Sequence, residues 1–212
     1  MKIVMLVYPG MTPLDLMGPL QAWSQIPEVN IQFVWKDLEP ILTDTGLSIV
    51  PTHRFEDAYP APDILFAPGG SQPAIDLMSD SEVIEFLKSR GASAKWVTSV
   101  CTGALLIGAA GLLEGYKATT HWAAKDFLPS LGAIVTEGRY VIDRNRATGG
   151  GVTAGIDFGL AMIAELVDET TAMAIQLGME YSPKPPFAAG TPDEAPDEIV
   201  KLVLDKYAAG TS

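Results

Sequence analysis

One cysteine, two histidines and few cations leave this chain of 212 residues short of the side chains on which several common functions depend. A single cysteine, Cys101, permits no internal disulfide, so the chain suits a reducing cytoplasm. The two histidines, His53 and His121, lie far apart, and with one cysteine they give no metal-ligand spacing. Lys and Arg number 14 against 26 Asp and Glu, a formal net charge of −12. That balance argues against unaided binding to nucleic acid or to an anionic membrane, because both carry the same sign. No apolar run approaches the length that spans a bilayer. The apolar run in Met1–Gly10 is too short for a secretion signal and lacks a small-residue cleavage site, so it reads as a first strand. There is no internal repeat and no low-complexity tract.

Hydrophobic residues make up 48% of the chain, enough for a packed core in a single α/β domain over residues 1–212. Strand and helix patterns alternate. Residues 2–8, 31–36, 47–50 and 63–67 read as strands, and a helix is expected from Pro19 to about Ile26, with Gly18 before it. Helical patterns follow at about 73–78, 81–91 and 122–131, two strands lie within 133–148 around a polar turn at 143–145, and a long amphipathic stretch over 153–180 breaks near Asp168. The proline-rich stretch 182–197 reads as an extended arm leading into a last helix that ends near Ala209. Such alternation implies a mostly parallel sheet with helices on both faces, and ligands of such folds bind beyond the carboxyl ends of the strands. The loops after residues 8, 67 and 100 should gather there.

Cys101 stands between the strand-like Lys95–Val100 and the apolar helical run Thr102–Leu113. A side chain on such an elbow projects at the sheet edge beside free N–H groups of the helix start, an environment expected to favour thiolate over thiol. Asp15 lies between Leu14 and Leu16 after the first strand. With Gly18 capping a helix that starts at Pro19, Asp15 is left free to point toward Cys101, and a desolvated carboxyl there should hold a proton near pH 7. Gly69 and Gly70 follow a buried strand; besides making a tight turn, they suit backbone N–H groups that join that of Thr102 in stabilising an oxyanion. His121 reads either as a partner that activates the thiol or as a helix-start histidine. Gly149–Ala154 fits a G-x-G-x-x-A dinucleotide pattern, but late in the chain and without the acidic residue that should follow, so its glycines read instead as a close passage beneath the elbow.

The Pro68-Gly69-Gly70 turn, the Val100-Cys101-Thr102-Gly103 elbow and the Ala118–Trp122 segment resemble the ThiJ/PfpI superfamily, relatives of class I glutamine amidotransferases. Leu14–Pro19, Thr98–Gly103, Thr148–Phe158, Pro186-Phe187 and Gly190–Pro192 resemble its isocyanide-hydrating members in particular, and the likeness runs nearly the whole length. That resemblance implies a flavodoxin-like three-layer sandwich and a cofactor-free homodimeric lyase that adds water to a small-molecule isocyanide through a thioimidate. Carried across, Cys101 is the nucleophile, Asp15 the acid and base, and Thr102 a hydroxyl beside them, with no metal. Many superfamily members carry Glu where this chain has Asp15, and protease-like members carry His where it has Thr102. Both departures argue against those activities here. The alternatives are a non-enzymatic ligand- or redox-sensing module and a glyoxalase or deglycase acting on reactive carbonyls. DNA binding is not expected, since no basic helix-turn-helix region is present.

Overall fold

Near-continuous apolar runs, the mark of strands covered on both faces, fall at Lys2–Leu6 (β1), Ile64–Ala67 (β6) and Trp96–Val100 (β7), which form the centre of the sheet. The computed structural model describes residues 1–209. In chain order, the elements between β1 and β6 are α1 (Pro13–Trp23), β2 (Asn30–Trp35), β3 (Ile41–Leu42), β4 (Ser48–Ile49) and β5 (His53–Arg54). Then come α2 (Ser71–Leu77) and α3 (Ser81–Ser93), β7, α4 (Gly103–Ala109), β8 (Lys117–Ala118), a 3₁₀ helix (Trp122–Leu131), β9 (Ile134–Val135), β10 (Tyr140–Asp143) and β11 (Arg146–Gly149). Three helices close the chain: α5 (Ala154–Leu166), α6 (Glu169–Gly178) and α7 (Asp197–Ala208).

The main sheet has seven strands in the order β10-β11-β7-β6-β1-β2-β5, parallel except for the β10–β11 hairpin. From β1 the chain crosses to β2 on one side, whereas β6 crosses to β7 and β7 to β11 toward the other. Right-handed crossovers therefore place α1 on one face and α2, α3 and α4 on the opposite face. The helices pack accordingly, α1 with α5 and α5 with α6, and α4 with α2 and α3. The direction reverses between β1 and β6, the place where open α/β sheets form a binding crevice. Register keeps the exits level: Ala67 pairs with Ser99, and Gly149 with Val100.

The mostly parallel sheet and its flanking helices match the expected flavodoxin-like fold. Several local expectations need correction. α1 begins at Pro13, not Pro19, so Asp15 lies in its first turn rather than in a loop, and Gly18 is inside the helix rather than its cap. Proline at the first position needs no N–H donor, which makes Pro13 the natural start. Pro19 lies inside α1 and packs closely on glycines of α5: a Cβ on Gly155 would come within 3.0 Å of Pro19 Cδ, and one on Gly159 within 3.0 Å of Pro19 Cα. The helix after Cys101 is shorter than its apolar run, and Gly111 follows it at φ +75°. Residues 47–50 contribute only to the small β3–β4 hairpin, and the polar stretch at His53 supplies an edge strand of the main sheet. Asp168 caps α6, as the break predicted there requires.

Candidate functional site

Cys101 has φ +57°, a left-handed backbone that a non-glycine residue adopts at a cost of about 1–3 kcal/mol. Its peptide groups are pinned in that shape. The Cys101 N–H donates to the carbonyls of Gly149 (3.1 Å) and Gly150 (2.8 Å), and Thr120 Oγ1 donates to the Cys101 carbonyl at 2.7 Å. Gly103 is required just beyond the elbow, because a Cβ there would overlap the Ala67 carbonyl. The glycine run after β11 thus passes under the elbow as expected.

Asp15 reaches the same point from α1. Its side chain is fully buried; Oδ2 accepts the Gly69 N–H at 3.0 Å, and Oδ1 has no hydrogen-bond partner among the described residues. The Cys101 thiol lies beside this carboxyl and interacts with it. Burial raises the Asp15 pKa to about 7, against the lowering influence of Cys101 and of the Gly69 N–H. An anion so placed is costly, and a protonated acid is the cheaper form.

The expected preference for thiolate is not what the surroundings favour. Cys101 is only 5% exposed, and burial, followed by the Asp15 charge, pushes its pKa above the usual thiol value. The backbone N–H groups of Thr102 and Val152 act in the opposite direction without prevailing. Near neutrality the thiol therefore keeps its proton: the Asp15 charge disfavours the thiolate, whereas Cys101 favours the ionised carboxyl.

Gly69 and Gly70 differ from expectation as well. Their N–H groups are not free for an oxyanion: Gly69 donates to Asp15, and Gly70 donates to Thr102 Oγ1 at 3.0 Å. They position the two side chains that flank the thiol. A Cβ on Gly69 would lie 2.6 Å from Asp15 Oδ2 and 2.7 Å from Thr102 N, so only glycine fits. The donors beside sulfur are Thr102 N–H, as expected, and Val152 N–H, which the sequence does not single out.

His121 follows its helix-start reading. Its Nδ1 accepts the Ala123 N–H at 3.3 Å at the head of the 3₁₀ helix, and burial lowers its pKa, keeping the ring neutral. No hydrogen bond joins it to Cys101 among the described residues. It packs against the glycine run, where a Cβ on Gly151 would come within 2.6 Å of its Cδ2. A cavity of about 610 Å³ opens there, lined by His121, Trp122, Gly150, Gly151 and Val152 and bordered by Gly190–Asp193 of the arm. Tyr8, Thr120 and Tyr207 also reach this region and were not legible in the sequence. Tyr8 Oη donates to the Pro68 carbonyl at 3.0 Å beneath the Gly70 turn. Thr120 stands in the Thr-Thr-His-Trp segment, the one local signal that points to it. Tyr207 arrives from α7, far along the chain.

The sequence profile of the DJ-1/PfpI family matches residues 1–165. An isonitrile hydratase of Pseudomonas putida is 49% identical over 200 residues, spanning 94% of this chain and 87% of that protein. The HTH-type transcriptional regulator GbdR of Pseudomonas aeruginosa is 33% identical over 131 residues, which are 60% of this chain and 34% of the regulator. Among solved structures, a THiJ/PfpI family protein from Pseudomonas syringae superposes with a TM-score of 0.96 at 50% identity, covering 99% of this chain and 87% of that one.

Proposed function

This chain belongs to the DJ-1/PfpI family, and on that basis we propose that it hydrates isocyanides to N-substituted formamides, with Cys101 as nucleophile and Asp15 as acid and base. The observation that carries the reading is the buried Asp15 carboxyl, its pKa raised to about 7, beside the only thiol of the chain. The isonitrile hydratase relative supports the same reaction.

An isocyanide carbon bears a lone pair and is also electrophilic. Sulfur and a proton must both reach that one carbon, and an Asp15 carboxylate that takes the Cys101 thiol proton and hands it on answers this need without a free thiolate in the resting site. Sulfur forms the C–S bond as Asp15 delivers the proton to the same carbon, leaving a thioimidate on Cys101 and an Asp15 carboxylate. Water then attacks the thioimidate carbon. Asp15 takes one proton from it and passes that proton to nitrogen. The C–S bond breaks as Asp15 takes the proton of the new hydroxyl and passes it to the departing sulfur, releasing the formamide and restoring the thiol and the carboxylate. Backbone N–H groups of Thr102 and Val152 face sulfur in its departing, anionic form, and Thr102 Oγ1, held by Gly70, borders the reacting atoms. These steps use no metal or organic cofactor.

The same reading takes residues 1–212 as one catalytic domain, acting as a homodimer on a small molecule in a reducing cytoplasm. No helix among the described residues is long and apolar enough to cross a membrane. The test is formamide production from cyclohexyl isocyanide, followed by infrared loss of the isocyanide band and by mass spectrometry. The parent protein should turn over and Cys101→Ala should not. Absence of turnover across several isocyanides, with Cys101 instead oxidising under mild peroxide, would point to a sensing module.

A further inference from the structure

α7 buries none of its residues, yet it carries Tyr207 onto the site. The Tyr207 ring meets His121 edge-on at 5.7 Å between centroids and lies 6.5 Å from the Trp122 ring, while His121 and Trp122 are 5.5 Å apart. His121 and Trp122 line the cavity described above, and the Tyr207 ring packs against both of them. Tyr207 remains 40% exposed, and His121 and Trp122 are half-buried, so the rings keep apolar surface that a ligand would cover. The Tyr207 hydroxyl senses the sulfur: its pKa is raised by burial and next by the proximity of Cys101. The cations that line the cavity are already engaged, Lys125 with Glu137 and Arg139 with Asp157, both at 2.5 Å. No cation there is left over to select an anionic substituent.

We propose that Tyr207, with His121 and Trp122, forms the wall that receives the N-substituent of the substrate and sets a preference for neutral aromatic or alicyclic groups over small alkyl groups. This rests on the isocyanide hydratase reading. The reacting carbon is the terminal atom of a rod-shaped C–N group, so a substituent held two bonds away must project from Cys101. The ring cluster offers apolar surface within reach of the sulfur, whose proximity the Tyr207 hydroxyl registers. The C-terminal helix then acts as a specificity element through one side chain rather than as part of the packed core.

The test compares steady-state kcat and KM for benzyl and methyl isocyanide in the parent protein, Tyr207→Ala and Tyr207→Phe. In Tyr207→Ala the benzyl-over-methyl preference in kcat/KM should fall about tenfold, with the loss in KM for the benzyl substrate, as expected for one lost ring contact. Tyr207→Phe should keep the preference, because the ring carries it. A preference unchanged in Tyr207→Ala, or an equal loss for both substrates, overturns the proposal. A second measurement separates it from the hydratase reading: calorimetric binding of N-benzylformamide to the parent and to Tyr207→Ala. If no isocyanide is turned over, the hydratase reading fails, and the ring wall stands or falls on whether the alanine variant binds this formamide about tenfold more weakly or equally well.

Discussion

The Asp15 carboxyl lies against the Cys101 thiol at the point where the strand order reverses, and neither group favours its charged form there. Asp15 comes from the first turn of α1 and Cys101 from the end of β7, so the pair is brought together by the sheet and not by local sequence. One Asp15 oxygen is held by Gly69, and the other has no hydrogen-bond partner among the described residues.

Asp15 should make stability depend on pH. Its folded pKa of about 7 lies above the unfolded carboxyl value of 3.8. Between these values the folded chain binds the extra proton, so stability falls as pH rises through that window and levels off above it. Asp15→Asn removes the titration while keeping an acceptor for Gly69. Urea denaturation should find the variant more stable than the parent at pH 8, by on the order of 2–4 kcal/mol, with little difference near pH 4. Parallel pH profiles for the two proteins would rule out the assigned shift.

The same substitution should make the thiol more reactive toward an alkylating agent. The Asp15 charge raises the Cys101 pKa, so its removal increases the thiolate fraction at pH 7. Iodoacetamide labelling of Cys101 in Asp15→Asn should be roughly tenfold faster than in the parent, while isocyanide turnover falls. Labelling and turnover that rise or fall together would mean that Asp15 does not serve as the proton source.

Gly69→Ala should damage the site from behind. The added Cβ has no room beside Asp15 Oδ2 and the Thr102 backbone, both of which act on the thiol. A shift of either by a fraction of an ångström spoils proton delivery, and kcat should fall roughly a hundredfold or more. Circular dichroism should report an intact fold. Activity within twofold of the parent would show that Asp15 can move without consequence.

Thr102→Val leaves the buried Gly70 N–H without its acceptor, which should cost about 1–3 kcal/mol in urea denaturation. Thr102→Ser should recover most of that loss. If serine behaves like valine, a hydroxyl at this position is not enough to satisfy Gly70, and the role given to Thr102 Oγ1 fails.

The parts of the site that sequence makes legible are those with a local signature. A strand ending in Val100, a cysteine and an apolar helical run announce the elbow, and Pro68-Gly69-Gly70 announces a turn at the end of a buried strand. Asp15 faces Cys101 as its sequence context suggests, but from a helix that starts at Pro13: Pro19 imitates a first-position proline, and its close fit against Gly155 and Gly159, more than a hundred residues onward, has no local signature. Thiol ionisation is not legible, because helix-start N–H groups are visible in the sequence and burial is not. The Gly69 and Gly70 amides were assigned to the reacting atoms for a similar reason; their actual acceptors, Asp15 and Thr102, arrive from two other segments. Val152 and Tyr207 carry no local mark, since their relation to Cys101 depends on the path of the glycine run and of the proline-rich arm.

The glycine-to-glycine contact between α1 and α5 reaches beyond packing. A Cβ on Gly18 would come within 3.2 Å of the Gly155 carbonyl carbon and of the Ile156 nitrogen, so the two helices touch backbone to backbone. One carries the proton donor, and the other begins just after Val152, whose amide faces sulfur. Acid and amide are thus mounted on a single stiff bracket, and a methyl group added at its rear hinge, out of reach of any substrate, would be felt as lost alignment at the reacting carbon.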